Sequence, residues 1–297
     1  MRCPRPAAVL TAHALLPLLV GAARGQTAVP IPILPALPAS VRSAGLAGAN
    51  AAVIGDAGSV FTNPAGLATI KHISVEVGFL RESGYPIQTM GAAAVRIGPF
   101  DFGGGYHYLK FADTSRVKDN LIWVGTGVYR VGLIALGASS KYVSLEDSAG
   151  AVSRALTTDA GMALAVFDIM AFAVSVQNIG NRNLGGQDLS LPTTTHVGFT
   201  LNFVDPQSKA RLLGTIEGIW TRGGERRTLL GAEVGLVFGG IGIVGRMGHG
   251  AQPSPTRQSE TSFGGSVVLG RLSFDYAYQR RSALGRDVQR FGARWTP

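Results

Sequence analysis

The sequence predicts an all-β fold: an antiparallel transmembrane β-barrel of about fourteen strands with a short helical plug at its N-terminus. Three observations carry that expectation. The 297-residue chain is oily, with 15% charged residues and a mean hydropathy of +0.23, yet past residue 25 it holds no apolar run of the roughly 18 residues that a membrane-spanning helix needs. Its apolar residues recur with period two. Its inter-strand connections alternate between short and long. A bilayer leaves every backbone N–H and C=O to be paired internally, so an oily chain without a spanning helix points to a closed barrel.

The first residues read as an address. Arg2 and Arg5 precede an apolar run from Ala7 to Val20, and Ala23-Arg24-Gly25 offers small residues at a cut before Gln26, which describes a secretory signal peptide over 1–25. The single cysteine, Cys3, lies in that segment, so the mature chain is expected to have no disulfide and no thiol chemistry. Loss of Arg2, Arg5 and Arg24 lowers the net charge from +9 to +6, with the remaining basic residues scattered. Residues 26–40 follow as a proline-rich lead whose VPIPILPALP favours an extended, polyproline-like course.

Residues 41–71 differ from everything after them. Gly and Ala dominate, and Asn63-Pro64 is a helix start: Asn caps the first free N–H groups and Pro fits the first helical position. Asp56 can cap a shorter turn upstream in the same way. Small residues let backbones approach closely, so these short helices suit a confined space. The lumen of a wide barrel is such a space, and a small cap outside it or an unfolded leader are the alternatives.

The barrel itself is expected over 72–297. In HISVEVGF, Ile73, Val75, Val77 and Phe79 alternate with His72, Ser74, Glu76 and Gly78, and TLLGAEVGLVF, LPTTTHVGFTLNFV and RLSFDYAYQRR repeat the pattern. A soluble sandwich would alternate too, so connection lengths must help decide. One set is mostly tight, GPF, RV, FDI, GG and GR with VDPQSKA the longest, whereas FADTSRVKDN, SLEDSAGAVSR, NIGNRNLGGQDLS and GAQPSPTRQSE are long or polar, as on the two rims of an outer-membrane barrel. An even strand count returns both chain ends to the short-turn rim. Tyr106, Tyr108, Trp123, Tyr129, Trp220, Tyr276, Tyr278 and Trp295 fall mostly toward strand ends, as interfacial girdles do, although aromatics are common in any strand.

Charges facing lipid are costly, so polar residues within strands are expected to face the lumen. In the first half these are Glu76, Asp101, His107 and Asp159; in the second they are Arg211, Glu217, Glu233, Arg246, Asp275, Arg281, Arg290 and Arg294. Arg290 and Arg294 on the last strand should meet Glu76 on the first and close the barrel with salt bridges. No cofactor or metal is expected: His13, His72, His107, His196 and His249 show no ligand spacing. The glycine cluster GLVFGGIGIVGRMGHG lacks the helix that would cradle a phosphate and reads as close strand packing with a tight turn. No catalytic constellation emerges, so no enzyme is expected, and nucleic-acid binding lacks interleaved basic and aromatic residues. Arg116, Lys118, Arg182, Arg222, Arg226, Arg227, Arg257 and Arg286 suit either solvated loops or a rim that meets lipopolysaccharide phosphates beside the outer-membrane lipid.

SAGLAGANAAVIGDAGSVFTNPAGLA (43–68), followed by an oily period-two region and an aromatic last strand, resembles the PorV/PorQ-like outer-membrane proteins, relatives of the FadL-type long-chain fatty-acid transporters. By that resemblance Asn63, Pro64 and Ala65 match the NPA element of an N-terminal hatch, and Gly45, Gly48, Asp56 and Phe61 match its surroundings, with Gly66 and Leu67 completing the motif. Thr62 departs from the aromatic that relatives often carry there, and this chain is shorter than the fatty-acid transporters. The resemblance implies a diderm outer membrane, assembly machinery that recognises the last strand with its Phe291 and Trp295, and diffusive passage of a small hydrophobic molecule gated by the plug. It also admits a PorV-like role holding a secreted client protein in a type IX-like system, or a structural barrel.

Overall fold

A computed structural model describes residues 34–81, 86–111, 117–166, 169–186, 188–189, 191–204, 209–223, 226–251, 259–280, 282, 284 and 286–297. The expected signal peptide, the lead before Leu34, and Arg116, Arg257 and Arg281 lie outside the described residues. Fourteen antiparallel strands form one closed barrel in which each pairs with its sequence neighbours and the last pairs with the first. They are β1 (Ile73–Arg81), β2 (Ile87–Ile97), β3 (Phe100–Lys110), β4 (Val117–Val131), β5 (Ile134–Asp147), β6 (Val152–Val166), β7 (Met170–Gly185), β8 (Thr194–Val204), β9 (Ala210–Thr221), β10 (Arg226–Phe238), β11 (Ile241–Ala251), β12 (Ser259–Leu269), β13 (Leu272–Arg280) and β14 (Val288–Trp295). Closure removes both sheet edges.

The period-two pattern sorts the two faces. Val77 and Phe79 of β1, Leu230, Val234 and Leu236 of β10, and Phe274 and Tyr276 of β13 are exposed on the outside, while Ser74, Glu76, Glu233 and Asp275 are buried inside. The outer face is an apolar belt of the kind a bilayer covers. Its aromatics associate across neighbouring strands, as in Tyr106–Trp123 at 5.5 Å between ring centroids and Phe100–Tyr129 at 5.2 Å.

Four of the six short-rim connections, 98–99, 132–133, 239–240 and 270–271, are two-residue hairpins, while β6–β7 and β8–β9 are joined by three and five residues. At Gly239-Gly240 both central residues have positive φ, 56° and 83°, a twist that suits antiparallel strands and that residues with a Cβ resist. The opposite rim is less loop-rich than the sequence pattern suggests. β4 to β7 run 15, 14, 15 and 16 residues, so most of SLEDSAGAVSR and NIGNRNLGGQDLS is strand. The polar residues there mislead because strands that extend beyond the apolar belt no longer need oily side chains. β7 continues past a register shift in which Asn178 takes φ 59° and its N–H donates to Asp159 Oδ1 at 2.9 Å.

Inside the ring lies the N-terminal segment. It comprises a 3-10 turn Leu34–Ala36, a short helix α1 (Val41–Gly45) and 3-10 turns Ala57–Phe61 and Pro64–Thr69. Leu34 and Leu37 are buried with Leu109, Ile122, Val143 and Leu145, close to the long-loop ends of β3 to β5, and the Leu34 N–H donates to Asn120 Oδ1 at 3.2 Å. Thr69 and Lys71 sit at the short-turn rim, where β1 begins. The segment therefore runs the height of the barrel. The described end of the proline-rich lead is correspondingly a 3-10 turn, not an extended leader, because Leu34 and Leu37 find an apolar partner in the barrel wall.

Candidate functional site

The inner segment is seated by shape on one side of the barrel and by charge on the other. Asn63 is fully buried; its side chain accepts from the Ala65 N–H at 3.1 Å and donates to the Ala51 carbonyl at 2.8 Å, which caps the turn that Pro64 opens. This turn rests on strand glycines. A Cβ on Gly137 of β5 would lie 2.6 Å from the Ala65 nitrogen, one on Gly103 of β3 would lie 2.7 Å from Leu67, and one on Gly161 of β6 would collide with Asn63 Oδ1. Phe61 lies against Gly105 and stands 5.7 Å from the His107 ring, while Gly66 leaves room for Ser59. The same logic recurs at Gly248 of β11, where a Cβ would strike Leu46 and Ala47. These inward glycines create the space the segment fills, so part of the glycine cluster around 235–250 serves packing against the inner segment as well as strand-to-strand packing and the Gly239-Gly240 turn.

On the β9 to β14 side, charge takes over. Arg42 of α1 forms a two-pronged pair with Glu233 of β10, at 2.9 Å for each hydrogen bond, and reaches Asp56 at 2.6 Å. Arg246 of β11 donates to the same Glu233 at 2.6 Å and reaches Asp275 of β13 at 3.3 Å. Arg294 of β14 pairs with Asp56 and stands 3.7 Å from Asp275. Asp56 occupies the expected cap position of the Ala57–Phe61 turn but makes no cap hydrogen bond, because two guanidinium groups claim its oxygens.

Other inward acceptors meet backbone donors. Glu217 of β9 takes the Asn50 and Ala51 N–H groups at 2.7 and 2.8 Å and His196 Nδ1 at 2.6 Å. Glu76 of β1 takes the Gly58 N–H at 3.1 Å, and Ser262 Oγ takes Ala47 N–H at 2.7 Å. The expected salt bridges to Glu76 do not form. Arg294 stands opposite Glu76 in register, but its guanidinium goes to Asp56 and Asp275. Arg290 lies opposite Leu80 and bonds Gln279 at 2.7 Å and the Pro38 carbonyl at 2.8 Å. The inner segment intervenes, so the seam is tied through it.

The remaining sequence candidates serve elsewhere. Asp101 accepts from Arg96 at 2.9 Å and Arg130 at 2.8 Å beside the short-turn rim. Asp159 pairs with Lys141 at 3.0 Å inside the wall. His107 is buried beside Gln88, and Arg211 bonds Asn202 at 2.7 Å. Arg42 was missed by the sequence reading, although a lone charge in a Gly/Ala-rich stretch was the available signal: once buried, it must find a carboxylate. On the rim, Lys118 pairs with Glu146 at 2.6 Å. No group of three or more His, Cys, Asp or Glu that could hold a metal ion occurs among the described residues.

Around the lower end of the inner segment three hollows open at the short-turn mouth, of about 670, 320 and 280 Å³, and Ile54 and Thr69 line all of them. A further apolar groove of about 590 Å³ lies on the outer face around Phe199, Leu212, Ile216, Leu230 and Met247.

No family model and no curated protein sequence matches the chain. Among solved structures the chain is similar to the CymD monoaromatic hydrocarbon channel (TM-score 0.59, 11% identity, 88% of this chain and 97% of that one). It is equally similar to the Ralstonia pickettii toluene transporter TbuX (TM-score 0.59, 13% identity, 88% and 97%). A Pseudomonas aeruginosa FadL homologue follows at TM-score 0.56, with 12% identity over 86% of this chain and 98% of that one. At such identities the likeness is one of fold: a closed fourteen-strand antiparallel barrel, which those channels and transporters resemble over most of their length.

Proposed function

We propose that the protein is a diderm outer-membrane barrel for diffusive passage of a small hydrophobic solute, with residues 34–71 as the plug that gates it. The observation that carries this reading is the filled lumen: Asn63 to Leu67 rest on strand glycines, and the opposite side of the segment is held by the Arg42–Glu233 and Asp56–Arg294 pairs. The structural neighbours named as hydrocarbon channels and transporters support a hydrophobic solute. The hollows against Ile54 and Thr69 give such a solute apolar surface beside the plug. A role in holding a secreted client would call for an exposed apolar groove on the long-loop rim, whereas Leu189 and Leu191 of that rim turn inward and are buried.

The test is uptake of the hydrophobic dye N-phenylnaphthylamine by a diderm host expressing the chain. Faster uptake than in the empty host is expected, and equal rates would remove solute passage as the function.

A further inference from the structure

The hollows at the short-turn mouth differ in chemistry, and Arg211 stands on their boundary. The one of about 280 Å³ is lined by Ile54, Ala165, Ile169, Ala171 and Leu213, and Arg211 is the charged residue among its described lining. Arg211 also lines the larger, charged hollow beside it. Its fork is largely unspent. Nε donates to Asn202 Oδ1 at 2.7 Å, but Nη1 stands 3.7 Å from Glu233 Oε1, beyond hydrogen-bond distance. The Glu233 oxygens are already taken by Arg42 and Arg246. Three guanidinium groups thus surround one carboxylate, and Arg211 is the outermost: 42% of its side chain is exposed, against 7% for Arg42 and 2% for Arg246.

From this arrangement we infer that the short-turn mouth holds a binding site for small organic carboxylates, with the apolar body in the hollow of Ala165, Ile169 and Leu213 and the carboxylate on Arg211. An arginine fork matches a carboxylate with two parallel hydrogen bonds, which neither a hydrocarbon nor an alcohol can make. Inorganic phosphate supplies the acceptor oxygens but leaves the apolar surface wet. The site is open with the inner segment in place, so it stands whether or not a solute crosses the barrel.

Equilibrium dialysis of benzoate against the folded full chain in detergent, with protein-free detergent as reference, tests it apart from any flux. Benzoate is expected to bind at least about tenfold more tightly than benzyl alcohol or phosphate, and Arg211→Gln to weaken it by about tenfold or more, with Arg211→Lys, which keeps the charge but loses the fork, falling between the parent and Arg211→Gln. Ala165→Phe, which fills the apolar half and leaves Arg211 in place, should abolish benzoate binding too. Retention of the heat-sensitive gel mobility of a closed barrel identifies folded variants, and if Arg211→Gln fails to fold, Ala165→Phe decides. Undiminished benzoate binding by a folded Arg211→Gln or Ala165→Phe variant, or equal affinity for benzyl alcohol or phosphate, overturns the proposal.

Discussion

At the residue scale, the inward glycines and the lone Arg42 explain more than the oily positions do. Strand glycine normally weakens a sheet, and its use here is explained by the approach of another backbone. Gly161 is the sharpest case, since a Cβ there would meet Asn63 Oδ1. Gly161→Val should therefore leave the strand intact, valine being a good strand former, yet unseat the Asn63–Leu67 turn. The expected result is a barrel that still shows heat-modifiable gel mobility but conducts ions. A folded variant as silent as the parent would mean that the turn's seat is not what closes the lumen. The sequence showed these glycines plainly; their partners were hidden, because contact between position 161 and position 63 depends on where the inner segment docks.

At the element scale, strand order and face were legible because two solvents impose period two on every strand, and short glycine turns mark one rim. Strand ends on the other rim were less legible, since β5 to β7 continue as polar strand where polarity reads as loop. The helical turn at Pro64 was legible from Asn63 and the proline, whereas the cap expected of Asp56 was not made: a local rule gave way to two arginines from elsewhere. The attachment of α1 is predicted to depend on Glu233. Glu233→Gln removes the counter-charge that Arg42 and Arg246 share and leaves each with one carboxylate, Asp56 and Asp275, so the loss should fall below the roughly 3–5 kcal/mol of a buried pair broken outright. Hydrogen exchange should register it as faster exchange of the Val41–Gly45 amides, with the ladders of β3 to β6 unchanged. Equal protection of α1 in the variant would show that packing, not charge, holds it.

At the scale of the whole molecule, the wall and the segment within it divide the work. The wall is closed by hydrogen bonds and by an apolar exterior; the interior is small and apolar on the β2 to β7 side and charged on the β9 to β14 side, and it is filled by the segment that threads it from the long-loop side to the short-turn rim. Removing the segment would leave Glu76, Glu217, Glu233 and Arg294 facing an open lumen, which water can solvate, so the barrel should persist without it. Planar-bilayer conductance of the full chain and of a variant lacking residues 34–71 measures this most directly. A quiet full chain and stable open steps from the shortened one are the predicted result; a shortened barrel, folded by its gel mobility and as quiet as the full chain, would contradict the assignment of the inner segment as the barrier.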